Sequence, residues 1–434
     1  MTYYSLHQNS AIASFKQATL LGQAPDKGLY FPAIIPAFEP KWLKDIEHHS
    51  NEAIAFETIQ PFIGDEIDKS SLQCIVQETI NFPIPLIDVT DQIAVLELFH
   101  GPTHAFKDVG ARFMSRCLGY FTRETHQKAI VLVATSGDTG GAVAHGFYNV
   151  EGVDVLILYP SGKVSAVQEK QLTTLGKNIH ALEVDGTFDD CQQMVKTAFA
   201  DTSFTGKLFL TSANSINVAR WLPQQIYYLL AWKQWKNKSM PPVFSVPSGN
   251  FGNICAGMLA FLRGMPAHRF IAACNANDTV PSFMETNSYQ PKPAVATLSN
   301  AMDVSDPSNF VRILALFHQS QEKLRQVLSA VRISDEETRT TLRRVHHSTG
   351  YTLDPHGAVG YLALERYLNE YPEKAGIFLE TAHPIKFYNV VEPVINSKVP
   401  MPESVKGVLE LEKKSVMVEA DYLALKAYLI RSYS

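Results

Sequence analysis

A chain of 434 residues, 46% hydrophobic, 10% aromatic and 19% charged, exceeds what one hydrophobic core serves and points to two or three packed units. Its net charge of −5, with no basic block, argues against nucleic acid as a partner, and no apolar run is long enough to span a bilayer. The five cysteines are scattered without a CxxC pair, so no disulfide framework or metal site is expected. "MTYYSLHQNSAIASFK" lacks a signal-peptide pattern, and a cytoplasmic protein is expected.

Residues 1–85 read as an N-terminal helical domain. "SAIASFKQATLLG" spaces its apolar residues helically and closes on Gly22, a plausible C-cap. "NFPIPLIDV" then marks a boundary with two prolines. In "HGPTHAFKDVGARFM", Lys107 stands among apolar neighbours where a helical pattern begins. A surface lysine would snorkel to water there. A buried one near cationic groups has its pKa lowered and becomes a nucleophile or base.

From "AIVLVA" onward, uniformly apolar runs alternate with helical patterns: "VDVLILY", "NIHALEV", "LFLT", "VFSV". Such runs mean parallel strands covered on both faces by crossover helices, an α/β fold of open wound sheets. In "SINVARWLPQQIYYLLAWKQW" the aromatic residues Trp221, Tyr227, Tyr228, Trp232 and Trp235 are expected to pack a long helix into the core. The adjacent pairs His48–His49 and His346–His347 diverge on a helix and make poor chelators.

Ligands of wound sheets bind beyond the carboxyl ends of strands, and there the unusual residues gather. "ATSGDTGGAVAH" offers Thr135, Ser136, Gly137, Asp138 and Thr139 at a helix start, and "VPSGNFGNICAG" offers Gly249, Asn250, Phe251, Gly252 and Asn253. Both are glycine loops suited to anions, though neither has P-loop or dinucleotide spacing. Ser215, Asn217 and Arg220 in "SANSINVAR", with Lys163 in "PSGKVS", add donors to the same rim. A buried lysine near two phosphate-type loops, without a P-loop, is what a pyridoxal phosphate Schiff base requires.

In order along the chain, "DKGLYFP", "ELFHGPTHAFKD", "TSGDTGGAVAH", "LYPSGKVS", "SANSIN", "SVPSGNFGN", "TLSNAMDVSDPSN" and "TAHPIKF" resemble the long bacterial threonine synthases. That family consists of pyridoxal 5'-phosphate enzymes with the tryptophan synthase β-subunit type of fold. The resemblance implies a large cofactor-binding α/β domain over residues 86–115 and 206–434 and a small α/β domain over residues 116–205. It implies that Lys107 holds the cofactor as a Schiff base and that Gly249, Asn250, Phe251, Gly252 and Asn253 cradle its phosphate. Thr381 would face the pyridine nitrogen. Thr135, Ser136, Gly137, Asp138 and Thr139 would receive the substrate carboxylate, and Lys163, Ser215, Asn217 and Arg220 its phosphate. The reaction implied is O-phospho-L-homoserine plus water giving L-threonine and phosphate, by a monomer. A phospho-lyase giving 2-oxobutyrate and a non-catalytic cofactor-binding relative share the same motifs.

Several positions remain open at this stage. Asp138 stands where many relatives of the wider fold carry asparagine, and a carboxylate there is costly unless protonated or paired. Asp108 is read as a helix cap, His104 as a packing residue, and Asn300 and Asp303 as further candidates near the site.

Overall fold

The computed structural model describes residues 1–123, 128–135 and 137–433. Among these residues two wound sheets carry the molecule. The larger runs Leu328–Arg332, Arg269–Cys274, Val243–Pro247, Gly376–Glu380, Ile93–Glu97 and Leu86–Asp88, parallel except for the last pair. The smaller is wholly parallel, in the order Ser415–Glu419, Ile179–Asp185, Val153–Pro160, Ala129–Ala134 and Phe209–Ser212.

Side-chain alternation explains why the strands are apolar throughout. On the larger sheet Ala94, Leu96, Phe244, Val246, Phe270 and Ile377 enter the main core, while Ile93, Val95, Val243, Ile271 and Phe378 enter a second core on the opposite face. The smaller sheet divides likewise, Val131, Val133, Val155 and Ile157 facing the main core and Leu132, Leu156, Leu158 and Leu182 the other. Strands buried on both faces have no polar side to show.

Two features depart from the expected organisation. The N-terminal region is helical over Phe15–Leu21, Asn51–Ile63 and Lys69–Thr79, yet Thr2–Ser5, Ala13–Ser14 and Tyr30–Pro32 form a small antiparallel sheet. Tyr3 ties this sheet to the helices by donating to Phe62 O at 2.7 Å, and both lie in the main core. Gly22 does end the first helix, its N–H donating to Ala18 O. The second departure concerns the boundaries at 115/116 and 205/206. Helix Lys107–Thr122 runs through the first. Strands Phe209–Ser212 and Ser415–Glu419 both join the smaller sheet, and Leu425 and Leu429 of the last helix pack into its core. The smaller unit thus includes the C-terminal segment. The aromatic helix is interrupted at Leu222–Gln224, which contains Pro223, but its five aromatic residues are all buried.

Candidate active site

Lys107 opens its helix one residue after Phe106, whose N–H donates to Thr381 O at 2.8 Å. The Lys107 turn is thereby fastened to the end of strand Gly376–Glu380, and Ala105 bridges Ala382. Asp108 is not the N-cap. Its carboxylate reaches back to accept from the Thr103 N–H at 2.9 Å and the Thr103 hydroxyl at 2.6 Å, closing the turn before the helix. Burial pushes Asp108 up to about 6 despite those bonds. Lys107 is half-buried and forms no ion pair among the described residues. Burial lowers its pKa; Asp138 opposes that shift, and the charges of Lys386 and Arg220 add to it. The amine is therefore biased toward its neutral, nucleophilic form.

After Val243–Pro247 the chain turns through Gly249 and Asn250 into helix Gly252–Leu262, with Phe251 left-handed at φ 59°. A Cβ on Gly249 would stand 2.6 Å from Met302 Cα, so the backbones touch there and only glycine fits. Asn250 donates to Ser215 Oγ at 2.5 Å and accepts from the Ser308 N–H at 2.7 Å. Asn309 donates to Asn250 O at 3.1 Å and is itself held by Arg312. The "SNAMDVSDPSN" stretch is thus the buttress of this loop. Asp303 accepts from Asn275, Asn277 and Thr297, while Asn300 is exposed.

In the smaller sheet's loop the Thr135 hydroxyl accepts from the Gly137 N–H at 3.0 Å and the Gly140 N–H at 2.9 Å, holding the helix start. Gly137 has φ 143°, and a Cβ would meet Gln168 at 2.5 Å. Thr139 is half-buried, and Ser136 lies outside the described residues. Asp138 is buried and paired: Lys386 Nζ lies 2.7 Å from its Oδ1 and Gln168 donates to the same oxygen at 3.0 Å. Burial opposes its ionisation, but Lys386, Lys107 and these hydrogen bonds prevail and hold the carboxyl well below the usual range.

Arg220 is buried with Nη1 on Ala213 O and Nε without a partner among the described residues. Burial lowers it to about 10, against the opposing influence of Tyr227 and Asp108, so it stays charged at neutral pH. Asn217, a candidate for the substrate phosphate, is also a structural residue. Its Oδ1 caps the Ala219 N–H and its Nδ2 donates to Thr19 O, both at 2.9 Å, which holds the Arg220 turn. Lys163 is exposed, and no described contact joins it to Arg220 or Ser215. His104 does more than pack: with φ 55° it contacts Ser404 Oγ at 2.9 Å and Phe99 O at 3.2 Å.

With this geometry in view, comparison with known proteins is decisive. Residues 85–379 match the model of the pyridoxal-phosphate dependent enzymes, residues 2–80 the threonine synthase N terminus and residues 357–429 the threonine synthase C-terminal domain. The Serratia marcescens threonine synthase is 44% identical over 434 residues, covering 99% of each chain. The chain belongs to the threonine synthase family. The Escherichia coli threonine synthase structure superposes with a TM-score of 0.92 at 42% identity, covering 99% of this chain and 100% of that one. The PLP-bound threonine synthase from Brucella melitensis gives 0.93 at 33% identity, covering 100% and 99%.

Pyridoxal phosphate, the cofactor of this threonine synthase family member, fits the residues present. The start of helix Gly252–Leu262 follows a left-handed residue and has no side-chain cap, and the first N–H groups of a helix have no partner within it, as an anion requires. There Asn253 accepts from Tyr228 at 2.7 Å while its buried Nδ2 has no protein partner. The Thr381 hydroxyl makes no hydrogen bond among the described residues, leaving a neutral group at a strand end. Two site residues had no sequence signal strong enough to single them out. Lys386 lies inside "TAHPIKF", where a second lysine in an apolar setting was the available clue. Gln168 sits three residues after Ser165, a spacing that signals a capping box and nothing about Asp138.

Proposed function

We propose that this protein converts O-phospho-L-homoserine and water into L-threonine and phosphate, with Lys107 as its imine-forming lysine. The observation that carries the reading is a lysine biased toward neutrality, placed at a strand end shared with anion-binding elements, in a chain similar to threonine synthases over its whole length. Pyridoxal phosphate supplies an electron sink for carbanions next to the substrate's amino group. The helix start at Gly252 and Asn253 would hold the cofactor phosphate, and the Thr381 hydroxyl would serve the pyridine nitrogen without a charge that favours its protonation.

Loop 135–139 receives the substrate carboxylate through backbone N–H groups other than those of Gly137 and Gly140, which the Thr135 hydroxyl already engages. Arg220 and Ser215 receive the substrate phosphate. The unpartnered Arg220 Nε is a buried donor available for an anion, and the charge it supplies stabilises phosphate as it leaves Cγ. With the substrate amine in its place, Lys107 would remove the Cα proton; a Cβ proton must then leave as phosphate departs from Cγ, Cγ takes up a proton, water adds at Cβ, and Cα is reprotonated.

We read the protein as a cytoplasmic monomer; among the described residues no helix is long and apolar enough to cross a membrane. The test is product identification with purified protein, pyridoxal phosphate and O-phospho-L-homoserine. Threonine equal to the phosphate released supports the assignment. Phosphate with 2-oxobutyrate makes the protein a phospho-lyase, and no phosphate at all makes it a binding relative.

A further inference from the structure

Lys386 is fully buried in the turn Pro384–Phe387, beyond strand Gly376–Glu380 of the larger sheet, which Thr381 directly follows. Its Nζ meets Asp138 Oδ1 at 2.7 Å and donates to Thr103 O at 2.8 Å. Asp138 comes from the smaller sheet, so the ion pair joins the two sheets inside the site. Three charged groups act on the Lys107 amine: Asp138, Lys386 and Arg220. Asp108, His104, His145 and His383 also lie within the field of Lys386.

We propose that Lys386 is a positioning residue for the Lys107 amine: its ion pair with Asp138 neutralises that carboxylate and leaves the Lys107 amine without an anionic partner, able to attack the cofactor aldehyde. An unpaired carboxylate there would hold Lys107 as an ammonium, which has no lone pair for carbon. The pair also explains how the site tolerates an aspartate: the buried charge is matched by an ammonium and by the Gln168 amide at 3.0 Å. Lys386 itself is poorly placed to compete for the aldehyde, because its Nζ is already bound to a carboxylate and a carbonyl.

The proposal rests on Lys107 being the imine-forming lysine, and its test reads the protein before turnover. The rate at which the cofactor-free chain takes up pyridoxal phosphate, followed by visible absorption across pH, reports the fraction of free amine. For Lys386→Met the midpoint should rise by about one pH unit or more, for Asp138→Asn it should fall, and the double variant should return near wild type. Cofactor-free Lys386→Met should also melt at a lower temperature, with recovery in the double variant. Should Lys386→Met not fold, the downward shift of the isosteric Asp138→Asn decides alone. Midpoints unmoved in the single variants would overturn the proposal and leave the pair a purely structural tie. Normal uptake at Lys107 without threonine formation by the wild type would instead overturn the reaction and leave this proposal standing.

Discussion

An amine attacks a carbonyl only after losing its proton, so the surroundings of Lys107 matter more than its presence. Burial and two cationic neighbours favour the neutral form, with Asp138 the opposing charge. Lys107→Ala should lower threonine formation by ~10³-fold or more while leaving the melting temperature close to wild type. Retained turnover would show that another group binds the aldehyde. Arg220 has the opposite requirement, a permanent charge with a free donor. Arg220→Lys keeps the charge but loses the planar fork, and should raise the substrate concentration for half-saturation by about tenfold. Unchanged saturation would remove Arg220 from the phosphate site. The sequence exposed both residues because each stands at a strand end in a distinctive motif. It hid Lys386, whose role depends on Asp138, some 250 positions away in the chain.

At the scale of elements, loops are held by other loops. The Gly249–Asn250 turn leans on residues 302–309, where Met302 touches Gly249 and Ser308 and Asn309 clamp Asn250. A second contact supports that buttress: the Ala301 N–H donates to His356 Nε2 at 3.2 Å, which places the ring proton on Nδ1, facing Asp354 at 2.8 Å. Gly249→Ala must displace Met302 backbone by several tenths of an ångström. Affinity for pyridoxal phosphate, measured by titration, should fall at least about tenfold, roughly 1.4 kcal/mol, with the fold retained. Wild-type affinity would separate the turn from the cofactor. The glycine loop was legible in the sequence; its buttress was not, because turn signals such as Asp–Pro show where a loop bends and nothing of what it touches.

For the whole molecule, alternation of apolar strands and helices sufficed to read open wound sheets, since parallel strands need crossovers and burial on both faces; their division into a larger and a smaller unit came from the family resemblance. Strand Ser415–Glu419 escaped because it is a half-exposed edge whose partner, Ile179–Asp185, lies far upstream. The N-terminal strands escaped because runs of two to four residues carry no period. Joining two sheets around a charged site leaves a trace in stability. His145 is lowered to about 4 by burial and by Lys386, His104 and Arg112, and its Nε2 has no partner among the described residues. It is neutral when folded, but protonates near 6.5 when unfolded, so its contribution to stability falls as pH drops from about 6.5 toward 4. His145→Gln should therefore lose less stability than wild type between pH 7 and pH 5, by on the order of 1–2 kcal/mol in denaturant melts. Equal losses would mean the imidazole takes up its proton in the folded state. The central claim is that, of the two lysines brought together between the sheets, Lys107 binds the cofactor and Lys386 serves the charge beside it. Borohydride reduction of the pyridoxal phosphate-loaded protein followed by peptide mass mapping tests this directly. The account predicts the label on Lys107; a label on Lys386 would contradict it.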